Sequence, residues 1–80
     1  MFVKKLVHLT FPQQLVRQPL VYNLIRQYDI MTNILKAQVN NETGWLEVLL
    51  QGEADKVQQG LSWLSKEGVI VEVISESEEK

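Results

Sequence analysis

The stretch that decides the fold is residues 30–51, IMTNILKAQVNNETGWLEVLLQ. In its first half Leu35, Ala37 and Val39 share one face, with Lys36 and Gln38 on the other. In its second half Leu46, Val48 and Leu50 face one way, and Trp45, Glu47 and Leu49 the other. Alternation of period two marks a half-buried strand. Between the two runs lies Asn40-Asn41-Glu42-Thr43-Gly44, where Asn and Gly tolerate the backbone angles of a turn. The stretch reads as a β-hairpin, and the chain on either side of it reads as two similar halves.

On the N-terminal side, residues 2–11 (FVKKLVHLTF) place Val3, Val7, Leu9 and Phe11 at odd positions and Lys4, His8 and Thr10 at even ones. That is a strand. Lys5 interrupts the odd face near its start, where its stem can lie along apolar surface with the ammonium in water. Leu6 is apolar on the even face. Pro12 stops the strand. Pro19 suits the first turn of a helix. After it, Leu20, Val21, Leu24, Ile25 and Tyr28 form one stripe of helical period, so a helix is expected over 19–28 with Asp29 outside it.

On the C-terminal side, Gly52 ends the hairpin. Residues 53–67 (EADKVQQGLSWLSKE) bury Ala54, Val57, Leu61 and Leu64, with Gly60 among them. Glu53 and Asp55 suit the positive end of this second helix and Lys66 its negative end. Gly68 is a candidate left-handed cap. Residues 69–74 (VIVEVI) are a last strand, with Val69, Val71 and Val73 inward and Ile70, Glu72 and Ile74 outward.

The order is βαββαβ, two right-handed βαβ halves joined by the hairpin. The expected class is α+β: a ferredoxin-like two-layer sandwich, antiparallel sheet order 4-1-3-2, both helices on one face. Residues 1–74 are expected to be the domain and residues 75–80 an acidic flexible tail. Residues 1–74 carry seven basic and seven acidic side chains, so the net charge of −2 resides in Glu76, Glu78, Glu79 and Lys80.

Composition narrows the function. With 80 residues, 45% hydrophobic and 22% charged, the chain has the usage of one globular domain. It has no cysteine and one histidine. That excludes disulfides, thiolate chemistry, sulfur-ligated zinc or iron–sulfur clusters, and multi-histidine cages, so no metal or cofactor is expected. No apolar run approaches the roughly 18–20 residues of a bilayer span. Polar residues follow Lys4 and Lys5 where a signal peptide would be apolar. The expectation is a cytoplasmic chain without direct membrane insertion. No basic stripe draws a phosphate backbone, so no nucleic acid is expected, and no GxGxxG or GxxxxGK[ST] loop is present.

The sheet face away from the helices carries Leu6, His8, Trp45, Leu49, Ile70 and Ile74, with Phe2 at its edge and Glu47 and Glu72 among them. That is too apolar for a free surface and points to self-association through this face. Strands lie roughly 4.8 Å apart, so a Glu47–His8–Glu72 row would hold its carboxylates about 10 Å apart. Acid–base work needs a pocket and matched geometry as well. Charge pairing within the interface is the simpler reading, and no catalytic residue is assigned. Trp63, off the main helical stripe, is read as flanking the core. Asn33 is the odd residue, since it shares parity with the core-facing Leu35, Ala37 and Val39. Its amide either satisfies a β-bulge or strand end, or faces a ligand such as a free amino acid, whose carboxylate and ammonium match a group that both donates and accepts. Periodicity leaves both open.

Asn33-Ile34-Leu35 in the context IMTNILKAQV, the LTF of Leu9–Phe11, Pro19 at the helix start, Gly44-Trp45-Leu46, Gly52, Leu61-Ser62-Trp63-Leu64 and the run Val69–Val73 occur in order across almost the whole chain. Together they resemble the NIL domain family. The resemblance implies a C-terminal regulatory domain of the ATPase subunit of methionine ABC importers, which binds methionine at a domain–domain interface and inhibits transport. It implies that Asn33 is a ligand-binding residue and that Ile34, Leu35 and Ala37, on the strand that lines the site, belong to the same ligand-binding set. This sequence contains no ATPase domain or Walker motif, and lacks the cysteines of iron–sulfur fusions. The expectation is a non-enzymatic regulatory domain that binds methionine or a related sulfur metabolite at a homodimer interface. The alternative is a protein–protein interaction module without a small ligand, serving an iron–sulfur or sulfur-assimilation enzyme. An enzyme using His8 and the two glutamates, or an RNA-binding sheet with aromatics on its central strands, fits less of the chain.

Overall fold

The computed structural model describes residues 1–16, 18–40 and 42–79. Its elements are β1 (Phe2–Phe11), a 3-10 turn (Gln13–Leu15), α1 (Leu20–Tyr28), β2 (Met31–Val39), β3 (Gly44–Glu53), α2 (Ala54–Lys66) and β4 (Ile70–Glu79). The four strands form one antiparallel sheet in the order β2-β3-β1-β4. This is the ferredoxin-like two-layer sandwich that the βαββαβ pattern implies.

The odd positions of β1 do what their alternation requires. Val3, Val7, Leu9 and Phe11 are buried, together with Val48 and Leu50 of β3. Leu20 and Leu24 of α1 and Val57, Leu61 and Leu64 of α2 close over them. The helix ends follow local chemistry. Pro19 is the N-cap of α1 rather than its first residue, and Asp29 leaves the helix in the left-handed region (φ 54°), its N–H donating to the Ile25 carbonyl at 3.1 Å. Gly68 adopts φ 104° just after α2, as its cap position demands. Trp63 packs against the core and tilts against Tyr28 with ring centroids 6.2 Å apart.

The hairpin turn is held by a side chain. The Asn40 Oδ1 accepts the N–H groups of Glu42 and Thr43, each at 2.8 Å, and the Asn40 N–H donates to the Thr43 carbonyl. Asn41, also assigned to this turn, lies outside the described residues. Among the described residues, only Asp29 and Gly68 take positive φ, so Gly44 opens β3 instead of bending the turn.

Two expectations are corrected. The acidic flexible tail of residues 75–80 is, through Glu79, a continuation of β4: Ser75 pairs with Leu6, Glu76 with Lys5, Ser77 with Lys4 and Glu78 with Val3. The cause lies in β1. Lys5 is 9% exposed on the helix-facing side, and its Nζ lies 3.5 Å from the Gln58 Oε1 and 3.6 Å from a Glu76 oxygen. A nearly buried ammonium needs an acceptor and a counter-charge, and the supposed tail supplies one. Lys80 lies outside the described residues. The second correction is the parity of β2. The register slips between Ile34 and Lys36, leaving Leu35 without a partner as the extra residue of a β-bulge. Asn33, opposite Leu49, therefore stands on the open face, while Ala37 and Val39, opposite Leu46 and Gly44, stand on the helix side. A second bulge leaves Ile74 unpaired in β4.

α2 lies over β1, β3 and β4, and α1 packs against α2. The edge strand β2 is left exposed, with Ile34 and Leu35 each 52% accessible. The helices meet closely at Gly60, where an added Cβ would stand 2.7 Å from the Leu24 Cδ1 and 2.9 Å from the Ile30 Cδ1. Both neighbours are fully buried. Gly60→Ala is expected to lower stability by about 1 kcal/mol, roughly 2 for crowding less roughly 1 of improved helix propensity. Gly60→Val should cost more, and urea unfolding reads both. Removing residues 75–80 is expected to lower stability by about 2 kcal/mol, because the end of β1 loses a neighbour and Lys5 its counter-charge. Equal thermal midpoints for the two chains would restore the flexible-tail reading.

Candidate functional site

The open face of the sheet is organised as rungs that run across all four strands. One rung is Lys36 of β2, Glu47 of β3, His8 of β1 and Glu72 of β4. Below it runs Asn33, Leu49, Leu6 and Ser75. Above it runs Gln38, Trp45, Thr10 and Ile70. The face therefore alternates between charged and mixed rungs, and it is less apolar than the strand patterns alone suggest.

The charged rung holds the best-defined geometry. The His8 Nδ1 lies 3.3 Å from a Glu47 carboxylate oxygen, and both side chains are about three-quarters covered, at 28% and 26% exposure. The His8 ring stacks on the Trp45 indole, with centroids 5.1 Å apart and planes at 22°. Glu72 stands across from His8 on the other side, exposed. The Glu–His–Glu row that the sequence allows is thus in register. Its setting is an open sheet surface, with no enclosing walls and no nucleophile in the row. Such a row can accept and donate hydrogen bonds and carry charge across an interface. Among the described residues, no group of three His, Asp or Glu is arranged to hold a metal ion, and no helix is long and apolar enough to cross a membrane.

The other singled-out residues divide between the two faces. Leu6, His8, Trp45, Leu49 and Ile70 share the open face, as their parity requires, while Ile74 is the bulged residue and 48% exposed. Asn33, Ile34, Leu35 and Ala37 do not share one face of the sheet. Ile34 and Ala37 stand on the helix side, Leu35 is bulged, and only Asn33 reaches the open face. There the structure brings it into one rung with Leu49 and Leu6. Sequence reasoning did not single out Lys36, although its alternation with Ala37 puts it on the face of Glu47, and the turn register alone, ahead of the bulge, sets the two opposite each other. The polar pair Lys36 and Gln38, flanking the apolar Ala37, was the available signal.

A cavity of about 170 Å³ lies at the far end of the sheet, walled mainly by Phe11, Val16, Leu20, Val21, Val39 and Trp45. Asn33 is six positions from Val39 along β2, about 20 Å in a strand, so this cavity and the Asn33 amide are separate features of one chain.

The family model described as the NIL domain matches residues 5–73. The chain is 39% identical over 74 residues to methionine import ATP-binding protein MetN 1 of Paraburkholderia xenovorans, covering 88% of this chain and 22% of that protein. It is 38% identical, with the same coverage, to methionine import ATP-binding protein MetN of Burkholderia thailandensis. The chain thus spans only 22% of the length of these relatives. In structure it resembles the C-terminal domain of an ABC transporter ATP-binding protein from Enterococcus faecalis, with a TM-score of 0.78 at 24% identity over 89% of this chain and 83% of that one. That likeness is one of fold.

His8→Ala is expected to lower stability by about 1 kcal/mol through loss of the stack and of the contact between its Nδ1 and the Glu47 carboxylate. In a Trp63→Phe background the same change should alter Trp45 emission. Unaltered emission would mean that the imidazole does not lie on the indole.

Proposed function

The chain belongs to the NIL domain family, and from that premise we propose that it is a small regulatory domain binding an amino acid, methionine or a close sulfur relative, at a homodimer interface. The reading is supported above all by the bulge at Leu35, which turns the Asn33 amide onto the open face beside Leu49 and Leu6. An amide offers two N–H donors to a carboxylate and a carbonyl oxygen to an ammonium. Leucine side chains next to it offer the apolar contact a thioether chain needs. On an open face these groups hold a ligand loosely, whereas a second copy laid over them encloses it. Ile34, Leu35 and Ala37 then act on the same strand by fixing its course and its bulge, while Leu6, His8, Trp45, Leu49, Ile70 and Ile74 form or border the contact.

Regulation follows from linkage. A ligand that binds the assembled form better shifts the equilibrium toward it, and assembly is what a partner protein reads. The domain performs no chemistry in this scheme and works in the cytoplasm, where the amino-acid pool is. The relatives are methionine import ATP-binding proteins, and the proposed ligand class accords with their name.

Titration calorimetry with L-methionine, and with L-leucine and L-serine as controls, tests the ligand. Saturable binding is expected, weakened roughly tenfold to a hundredfold in Asn33→Ala, since each hydrogen bond to a charged group contributes about 1.5–3 kcal/mol. Circular dichroism checks that the variant is folded. No heat with methionine or its close analogues would remove the ligand assignment and leave a protein–protein interaction module.

A further inference from the structure

The open face fits a second copy of itself. Consider a two-fold axis lying parallel to the strands, in the plane between two facing sheets, midway between β1 and β3. Turning the sheet about that line reverses the strand order and leaves each rung at its own height. β3 then covers β1 of the other copy, and β2 covers β4. In the charged rung Lys36 meets Glu72, and Glu47 meets His8. Along the centre of the next rung Leu49 meets Leu6, while its polar ends, Asn33 and Ser75, meet each other. Lys36 and Glu72 thus bring opposite charges together, the Glu47 carboxylate meets the His8 imidazole and leucine meets leucine, while in the upper rung Gln38 meets Ile70 and Trp45 meets Thr10.

The other simple axis does the reverse. Running across the strands through the charged rung, it would set Lys36 on Lys36 and Glu72 on Glu72, and like charges brought together across an interface cost several kcal/mol.

We infer that the chain dimerises sheet on sheet through its open face about the strand-parallel axis, with Lys36 of each copy paired to Glu72 of the other. The inference rests on the homodimer part of the function proposed above and is independent of any ligand. The size is adequate. Four strands of nine or ten residues cover about 19 by 33 Å, so the pair buries about 1,200 Å², the lower end of specific interfaces. Aligned sheets cross at about 30° and pack about 10 Å apart. The twist moves the outer columns about 4 Å along the strands, a gap that the flexible side chain of Lys36 spans.

The arrangement also gives the ligand two walls. Asn33 of one copy lies over the Ser75 end of the other, and Leu49 and Leu6 of both copies stand beside them.

A charge swap tests the pairing. Within one chain Lys36 and Glu72 lie on opposite edge strands, three spacings or about 14 Å apart, so any coupling between them is intermolecular. Sedimentation over a concentration series should show a wild-type dimer. Lys36→Glu and Glu72→Lys should each weaken it about tenfold or more, since each substitution acts twice per dimer. The double variant K36E/E72K should return to near wild-type affinity, and an equal mixture of the two single variants should form a heterodimer. Repulsion between K36E and Glu47 in the same chain persists in the double variant, so rescue cannot come from relief within the chain. Should a reversal fail to fold, Lys36→Ala and Glu72→Ala give the same answer, with loss in each and no added loss in the double. A dimer indifferent to these changes, or additive losses without rescue, overturns this geometry and leaves the homodimer standing. A wild-type chain that stays monomeric overturns both.

Discussion

The register of β1 is the constraint on which the rest depends. It is paired along its whole length with β3 and almost as fully with β4, so its alternation is imposed on both neighbours. Its odd positions choose the side the helices cover, and its even positions define the side they leave. A slip of one residue would exchange the two sets. With Val7 and Leu9 fully buried and His8 between them on the opposite face, such a slip would bury an imidazole and expose two core side chains. The register is therefore tightly held, and with it the alignment of the charged rung.

The legible part of the sequence is the part governed by period. The alternation of β1 and β3, the stripes of both helices, Gly68 as a cap and the order of elements all follow from local pattern, because one face of each element is buried. The two bulges follow from no such pattern. Leu35 and Ile74 are ordinary apolar residues in ordinary apolar runs, and the one local sign is Asn33, whose parity with Leu35, Ala37 and Val39 left a β-bulge among its readings. Both sit in edge strands, where one side has no partner to enforce registry. The consequence for the candidate site is large, since one skipped residue moves Asn33 from the core side to the open side. The end of β4 was obscured for a different reason. Ser75 to Glu79 have the composition of a solvated segment, but their role is set by Lys5, seventy-one positions before Glu76 in the chain.

These two departures belong to one theme. Polar residues that look misplaced in their own segment find their partners across the sheet. Lys5 breaks an apolar face in β1, and Glu76 and Gln58 receive it. Asn33 breaks a face in β2, and the bulge turns it away from the core. Lys36 stands opposite Glu47 by the register of the turn, ahead of the bulge. A regulatory surface built this way resides in the sheet as a whole more than in any motif. The Asn-Ile-Leu tripeptide marks the strand, while the face it contributes to is assembled from all four.

The pairing of Phe2 with Glu79 has a consequence for how the molecule is made. Of the four strands, β1 comes first in the chain order, and one of its two neighbours, β4, comes last. Closing so long a loop costs entropy that rises only slowly with length, but the contacts that offset it are almost all distant in sequence. Mixed helix and sheet domains with such distant pairings fold more slowly than helical bundles. Until β4 arrives, β1 presents an unpaired edge along its full length, and Lys5 lacks its carboxylate. The sheet is thus incomplete beside β1 until the strand most distant from it in the chain has docked.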